Sequence, residues 1–107
     1  MPFYSTKSIR KIGPLLRSGK VNYWSGNECK KFEKEFSSYL GNKYSVTLSN
    51  GSVALEVALK ALNLKKGDEI IVSPRSFIIS ASCTLNLGLK PVFADVDNKG
   101  NLSIEGI

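Results

Sequence analysis

Apolar residues between positions 27 and 41 recur at helical intervals. Cys29, Phe32, Phe36, Tyr39 and Leu40 stand at i, i+3, i+7, i+10 and i+11, with charged side chains between them. One face of an α-helix collects all five, and the pattern predicts a helix with Asn27 as its N-cap and Gly41 as its stop. Upstream, residues 1–26 carry only a short apolar cluster, Ile9, Ile12, Leu15 and Leu16, interrupted by Gly13 and Pro14, and then Tyr23-Trp24-Ser25-Gly26. An arm or lead-in is expected there.

Past the turn the period becomes two. Tyr44-Ser45-Val46-Thr47-Leu48 alternates and is rich in β-branched residues, which predicts a strand. Ser49-Asn50-Gly51-Ser52 follows, and Val53 to Leu62 is then almost wholly apolar, with only Glu56 and Lys60 charged, as in a buried helix. Lys65-Lys66-Gly67-Asp68 predicts a turn, Glu69 to Ser73 a second strand, and Phe77 to Leu87 a crossover helix that Gly88 ends. Lys90 to Asp97 predicts a third strand, closed by the turn Asn98 to Asn101. Strands alternating with helices imply an α/β fold with a parallel sheet and right-handed crossovers. No closing element precedes Ile107, so the chain is expected to be a fragment.

Composition narrows the class. With 107 residues, 42% of them hydrophobic and 22% charged, the chain suits one globular domain or part of one and is too short for a complete bilobal enzyme. No run approaches the roughly 18 to 20 apolar residues that span a bilayer, and the N-terminus lacks a signal-peptide core, so a cytoplasmic location without a membrane partner is expected. The chain has no His and 2 Cys, Cys29 and Cys83, without CxxC spacing. That excludes His-dependent triads, an imidazole base and most zinc sites, and no metal is expected. Both cysteines read as reduced core residues.

The net charge of +6 is unevenly placed: residues 1–43 hold nine basic and three acidic groups, residues 44–107 six of each. A basic front fits a surface for a phosphorylated ligand or an ordinary solvated face. No RNA-binding aromatic pair, zinc finger or helix-turn-helix pattern supports nucleic acid as a partner.

Chemistry concentrates at strand ends. Leu48-Ser49-Asn50-Gly51-Ser52 runs from a strand into a helix, where unpaired N–H groups and the helix dipole favour an anion, Gly51 permits close approach and Ser52 adds a hydroxyl. Taken alone, the motif is a weak signal, because Gly and Ser at a helix start are also ordinary capping chemistry. It matches neither GxxxxGK[ST] nor GxGxxG. Phe77, just past the second strand, can lie against a flat ligand ring or anchor the next helix. Asp95 and Asp97 end the third strand and can bind a ligand or begin a loop.

In combination these pieces resemble one family. Trp24-Ser25-Gly26, Phe32-Glu33-Lys34-Glu35-Phe36, Tyr39-Leu40-Gly41, Ser49-Asn50-Gly51-Ser52, Gly67-Asp68-Glu69, Ser76-Phe77 and Pro91-Val92-Phe93-Ala94-Asp95-Val96-Asp97, in this order over residues 20 to 105, resemble the N-terminal part of the DegT/DnrJ/EryC1/StrS aminotransferases. The resemblance implies the large domain of the pyridoxal-phosphate (PLP) dependent aspartate aminotransferase fold, fold type I, with residues 1–26 as an arm and 27–107 as an incomplete PLP-binding domain. It implies that Gly51 and Ser52 bind the cofactor phosphate, that Phe77 stacks on the pyridine ring, and that Trp24 to Gly26 lie near a sugar-nucleotide pocket. Ser52 stands where family members usually have Thr, and Arg75 where many relatives have other polar or aromatic residues.

The implied reaction moves an amino group from an amino-acid donor, commonly glutamate, to the keto carbon of a nucleotide-linked deoxysugar in polysaccharide or glycan biosynthesis, in a homodimer. It needs a Schiff-base Lys and an acid at the pyridine nitrogen. In the family both lie past the matched region, and none of the twelve lysines here takes the Lys position, so no catalytic residue is assigned and the chain alone is expected to be inactive. Two alternatives stand beside this reading: the family's dehydratase branch, in which His replaces that Lys, and a non-catalytic α/β module that binds a phosphorylated ligand.

Overall fold

Local capping chemistry decides where the helices begin and end. The computed structural model describes residues 3–107, which form two compact units, the first ending at Thr47 and the second running from Leu48 to Ile107.

The first unit carries two helices, α1 (Thr6–Ser18) and α2 (Glu28–Leu40). Helix α1 lies within the stretch expected to be an arm or lead-in, where the sequence shows little periodicity. Pro14 sits inside it, but a proline removes one N–H rather than the whole ladder, and both ends are held. Ser5 Oγ accepts the Ser8 N–H at 3.1 Å, and Gly19 closes the C-terminus at φ 68°. Helix α2 matches its periodicity, with the Phe32 and Phe36 rings stacked at 5.5 Å and Gly41 as a left-handed stop. Asn27 is the N-cap by position, yet its side chain makes no capping bond.

The strand expected over 44–48 does not form. Tyr44 and Val46 are 75% and 74% exposed, whereas Ser45 and Thr47 between them are half-buried. A strand needs a neighbouring ladder, and no backbone partner stands beside this segment among the described residues. Side chains of α2 hold it instead: Ser37 Oγ bonds Ser45 Oγ at 2.9 Å, and Glu33 accepts from Thr47.

The second unit contains α3 (Gly51–Ala61), β1 (Glu69–Val72), α4 (Ile79–Asn86), β2 (Lys90–Phe93) and a 3-10 turn at Ile104–Gly106. Strands β1 and β2 are parallel, in register from Glu69 opposite Lys90 to Val72 opposite Phe93, with α4 as the crossover. Helix α4 packs on both strands and on α3. The core is small: Val72, Cys83, Thr84, Leu89 and Ala94. Cys83 is fully buried, as a core cysteine should be, but Cys29 is only half-buried, because its unit has no closed core around it.

Two further expectations change. Helix α3 is not buried: none of its residues is fully covered, and the element it packs against is α4. The third strand stops at Phe93 instead of reaching Asp97, because Asp97 Oδ1 accepts the N–H groups of Lys99 at 2.8 Å and Asn101 at 2.9 Å. That turn reverses the chain, and Val96 pairs antiparallel with Leu102.

The motif Gly67-Asp68-Glu69 builds the entrance to β1. Gly67 takes φ 91°, Asp68 Oδ2 accepts the Lys65 N–H at 2.8 Å, and Glu69 pairs across the sheet with Lys90 at 2.7 Å. Hydrogen bonding to Glu69 raises the Lys90 pKa above its ordinary value.

Candidate functional site

The N-terminus of α3 leaves two donors free. Asn50 Oδ1 accepts the Val53 N–H at 3.0 Å and the Asn50 carbonyl accepts the Ala54 N–H at 3.0 Å, which occupies the third and fourth amides of the helix. The amides of Gly51 and Ser52 have no acceptor among the described residues. No atom lies within 4 Å of the place a Gly51 Cβ would take, so the approach is open. Two unpaired N–H groups, a hydroxyl and the positive end of an 11-residue helix form a seat for an anion.

The topology puts this seat at the edge where the strands end. Leu59, in the last part of α3, lines a groove with Leu87 and Leu89, at the start of β2. Leu55, one turn earlier, shares a second groove of about 290 Å³ with Val72, Ser73 and Ser76, past the end of β1. Helix α3 therefore runs back along the sheet, and Gly51 and Ser52 face the same edge as the segment that carries Phe77. Ligands of open α/β sheets bind at that edge. Phe77 is 73% exposed, with no helix packed over its ring. Its carbonyl accepts the Ser80 N–H at 3.1 Å and so begins the turn into α4.

Trp24 and Gly26 belong to the first unit, in a loop with its own construction. Asn22 Oδ1 accepts the N–H groups of Trp24 at 3.0 Å and Ser25 at 2.8 Å, together with the Ser25 hydroxyl. The Gly26 N–H donates to the Asn22 carbonyl at 2.8 Å. Gly26 is buried so tightly that a Cβ would run into the Lys20 and Asn22 carbonyls. This fixed loop leaves Trp24 90% exposed, with Tyr23 edge-on at 5.9 Å.

Of the two acids at the end of the third expected strand, Asp97 is a turn residue, its Oδ1 spent on backbone donors. Two residues of consequence were not singled out by sequence reasoning as site-forming. Asn50 is the side chain that leaves Gly51 and Ser52 as the free amides, and its residue type immediately before a helix was the available signal. Glu33 is the other. It accepts the Thr47 N–H at 2.7 Å and the Thr47 hydroxyl at 2.8 Å, and Tyr23 donates its phenol to the same carboxylate at 3.3 Å. The Thr47 N–H, then its hydroxyl, lowers the Glu33 pKa, and the charge of Glu33 raises that of Tyr23.

Among the described residues no helix is long and apolar enough to cross a membrane.

Comparison with known proteins agrees with this architecture. The spore coat polysaccharide biosynthesis protein SpsC of Bacillus subtilis is 35% identical over 107 residues, which are 100% of this chain and 27% of that protein. An aminotransferase from Psychrobacter cryohalolentis superposes with a TM-score of 0.85 at 46% identity, covering 90% of this chain and 24% of that one. The Escherichia coli GDP-4-keto-6-deoxy-D-mannose-3-dehydratase, solved with bound hydrated PLP, gives 0.85 at 31% identity, covering 98% of this chain and 28% of that one. The chain thus spans about a quarter of the length of these relatives. Its α/β architecture is that of the N-terminal part of the PLP-dependent aminotransferase fold. The model of the DegT/DnrJ/EryC1/StrS aminotransferase family matches residues 4–107, and the chain belongs to that family.

Proposed function

We propose that this chain supplies the phosphate seat and ring platform of a PLP-dependent enzyme that aminates a nucleotide-linked keto-deoxysugar for polysaccharide or glycan synthesis in the cytoplasm. The observation that carries the reading is the pair of free amides at Gly51 and Ser52, on the same sheet edge as the exposed Phe77. An anionic phosphate on those amides and a flat ring against Phe77 meet the needs of this cofactor, which when bound supplies an electron sink for amino transfer. Residues 1–26 act as an arm and 27–107 as part of the cofactor-binding domain. Trp24, displayed by the Asn22 loop, contributes to the sugar-nucleotide pocket with Gly26 beneath it. Glutamate serves as the amino donor and the working form is a homodimer. The Schiff-base lysine and the acid at the pyridine nitrogen come from positions outside residues 1–107, so this segment binds and orients without transferring protons.

The test is PLP affinity in the intact enzyme. Ser52→Ala removes one hydrogen bond to a charged group, a cost of about 1.5 to 3 kcal/mol, and Phe77→Ala removes the ring platform. Cofactor affinity that ignores both substitutions overturns the assignment and favours the non-catalytic module. A second reading rests on the similarity to the dehydratase over 98% of this chain: the same seat serves deoxygenation rather than amination. Incubation of the enzyme with glutamate and keto-sugar separates the two, since an amino-sugar product supports the first and a deoxygenated sugar the second.

A further inference from the structure

We propose that Arg75 is a specificity-determining anchor for an oxyanion of the substrate, either the diphosphate of the nucleotide sugar or the carboxylate of the amino donor. The inference rests on the reading of the preceding subsection and adds a residue to it. Arg75 lies past the end of β1 and two positions before Phe77, on the edge that carries the Gly51–Ser52 seat. Its backbone is pinned, for its N–H donates to Ser73 Oγ at 3.2 Å.

The side chain is seated as well. The guanidinium group lies over Gly100, where a Cβ would collide with Arg75 Nη1 and stand 2.8 Å from Cζ and 2.9 Å from Cδ. Gly100 itself has φ 83°, so the turn that Asp97 organises both requires a glycine and leaves the space the arginine fills. Asp97 makes no ion pair with Arg75, and its Oδ1 accepts the amides of Lys99 and Asn101. The three ion pairs among the described residues use Glu28, Glu56 and Glu69, and none includes Arg75. A planar fork of donors is thus held at the ligand edge with no ion-pair partner among the described residues, and this geometry matches carboxylate and phosphate oxygens two at a time.

The experiment uses the intact PLP-loaded enzyme, titrated calorimetrically with UDP, GDP, dTDP and L-glutamate, in the wild type and in Arg75→Gln and Arg75→Lys. Loss of a bidentate charged contact predicts at least about tenfold weaker binding of one probe class in Arg75→Gln, with Arg75→Lys recovering only part of it. Weakened nucleoside diphosphates identify the diphosphate as the partner, and weakened glutamate identifies the carboxylate; either result supports the anchor. Unchanged affinity for every probe overturns it, as does full recovery in Arg75→Lys, which would reduce the effect to net charge. Cofactor absorbance of the Arg75 variants should match the wild type. Failure of the Ser52 and Phe77 test would instead show in cofactor affinity, so the two proposals fail separately.

Discussion

The carboxylate of Glu33 accepts both the backbone N–H and the hydroxyl of Thr47, at 2.7 and 2.8 Å, across 14 positions of sequence. With Ser37, which bonds Ser45, this side chain of α2 holds residues 44–47 where a neighbouring strand is absent: it satisfies the Thr47 N–H and turns Thr47 toward the helix. Ser45 and Thr47 face the helix, while Tyr44 and Val46 face away. This accounts for the acid in Phe32-Glu33-Lys34-Glu35-Phe36, which helical periodicity places on the polar side but which is half-buried.

The pH response of this clamp has a definite sign. The Glu33 pKa is lowered in the folded chain, chiefly by the Thr47 N–H, so its stabilisation is complete above the unfolded carboxylate value of about 4.3 and disappears as pH falls through the lower folded value. Hydrogen exchange of residues 44–48 should show more protection in the wild type than in Glu33→Gln at neutral pH, with the difference closing under acid. A difference that does not shrink at any acid pH at which the chain stays folded would mean that the ionised carboxylate is not what holds Thr47.

Asn50 should separate the stability of the proposed phosphate seat from its chemistry. Its side chain caps Val53 but does not touch the free amides of Gly51 and Ser52, so Asn50→Ala predicts a loss of about 1 kcal/mol in folding stability. Asn50→Ser, which keeps an acceptor oxygen, should recover most of it, and thermal unfolding of the three proteins measures the order. If Asn50→Ala unfolds no earlier than the wild type, the capping bond contributes nothing and the helix start is set elsewhere.

How far the sequence carried this picture depended on whether each feature is local. Helices α2, α3 and α4 and the strands β1 and β2 were legible, because periodicity and the glycine stops at Gly41 and Gly88 act within a few residues. The resemblance to the family was legible for the same reason, in short motifs kept in order. Helix α1 was obscured by Pro14, whose effect on one hydrogen bond was outweighed by good caps at Ser5 and Gly19. The segment 44–48 was read as a strand from its alternation, but pairing is a property of two segments and cannot be read from one. In the site, the free amides followed from helix-end geometry, whereas the partnership of Glu33 with Thr47 and the seat of Arg75 on Gly100 join distant positions.

The Asn22 loop predicts opposite responses at two adjacent places. A Cβ at Gly26 would overlap the Lys20 and Asn22 carbonyls, so Gly26→Ala should cost about 1 to 3 kcal/mol through overpacking. Trp24 is 90% exposed, so Trp24→Ala should alter stability by less than about 0.5 kcal/mol, and on the function proposed above it should weaken nucleotide-sugar binding. Denaturant unfolding of both variants is the check, and a Trp24→Ala protein as unstable as Gly26→Ala would show that the indole is a packing residue.

The fully buried Thr84 offers a test of what the small core values most. Its hydroxyl donates to the Ser80 carbonyl at 3.1 Å, but that oxygen also receives the Thr84 N–H as an ordinary α-helical bond. Thr84→Val exchanges the hydroxyl for a methyl of similar size and leaves no buried group without a partner, so the change should stay within about 1 kcal/mol. Thr84→Ser keeps the hydroxyl and deletes a fully buried methyl from the small core that also holds Val72, Cys83 and Leu89, which removes roughly 0.8 kcal/mol of burial and leaves a void in addition. Thr84→Ser should therefore be the more damaging of the two, although it is the substitution that preserves the hydrogen bond. The reverse order in unfolding experiments would mean that the Ser80 carbonyl depends on the hydroxyl, and that polar pairing rather than methyl packing holds α4 against the sheet.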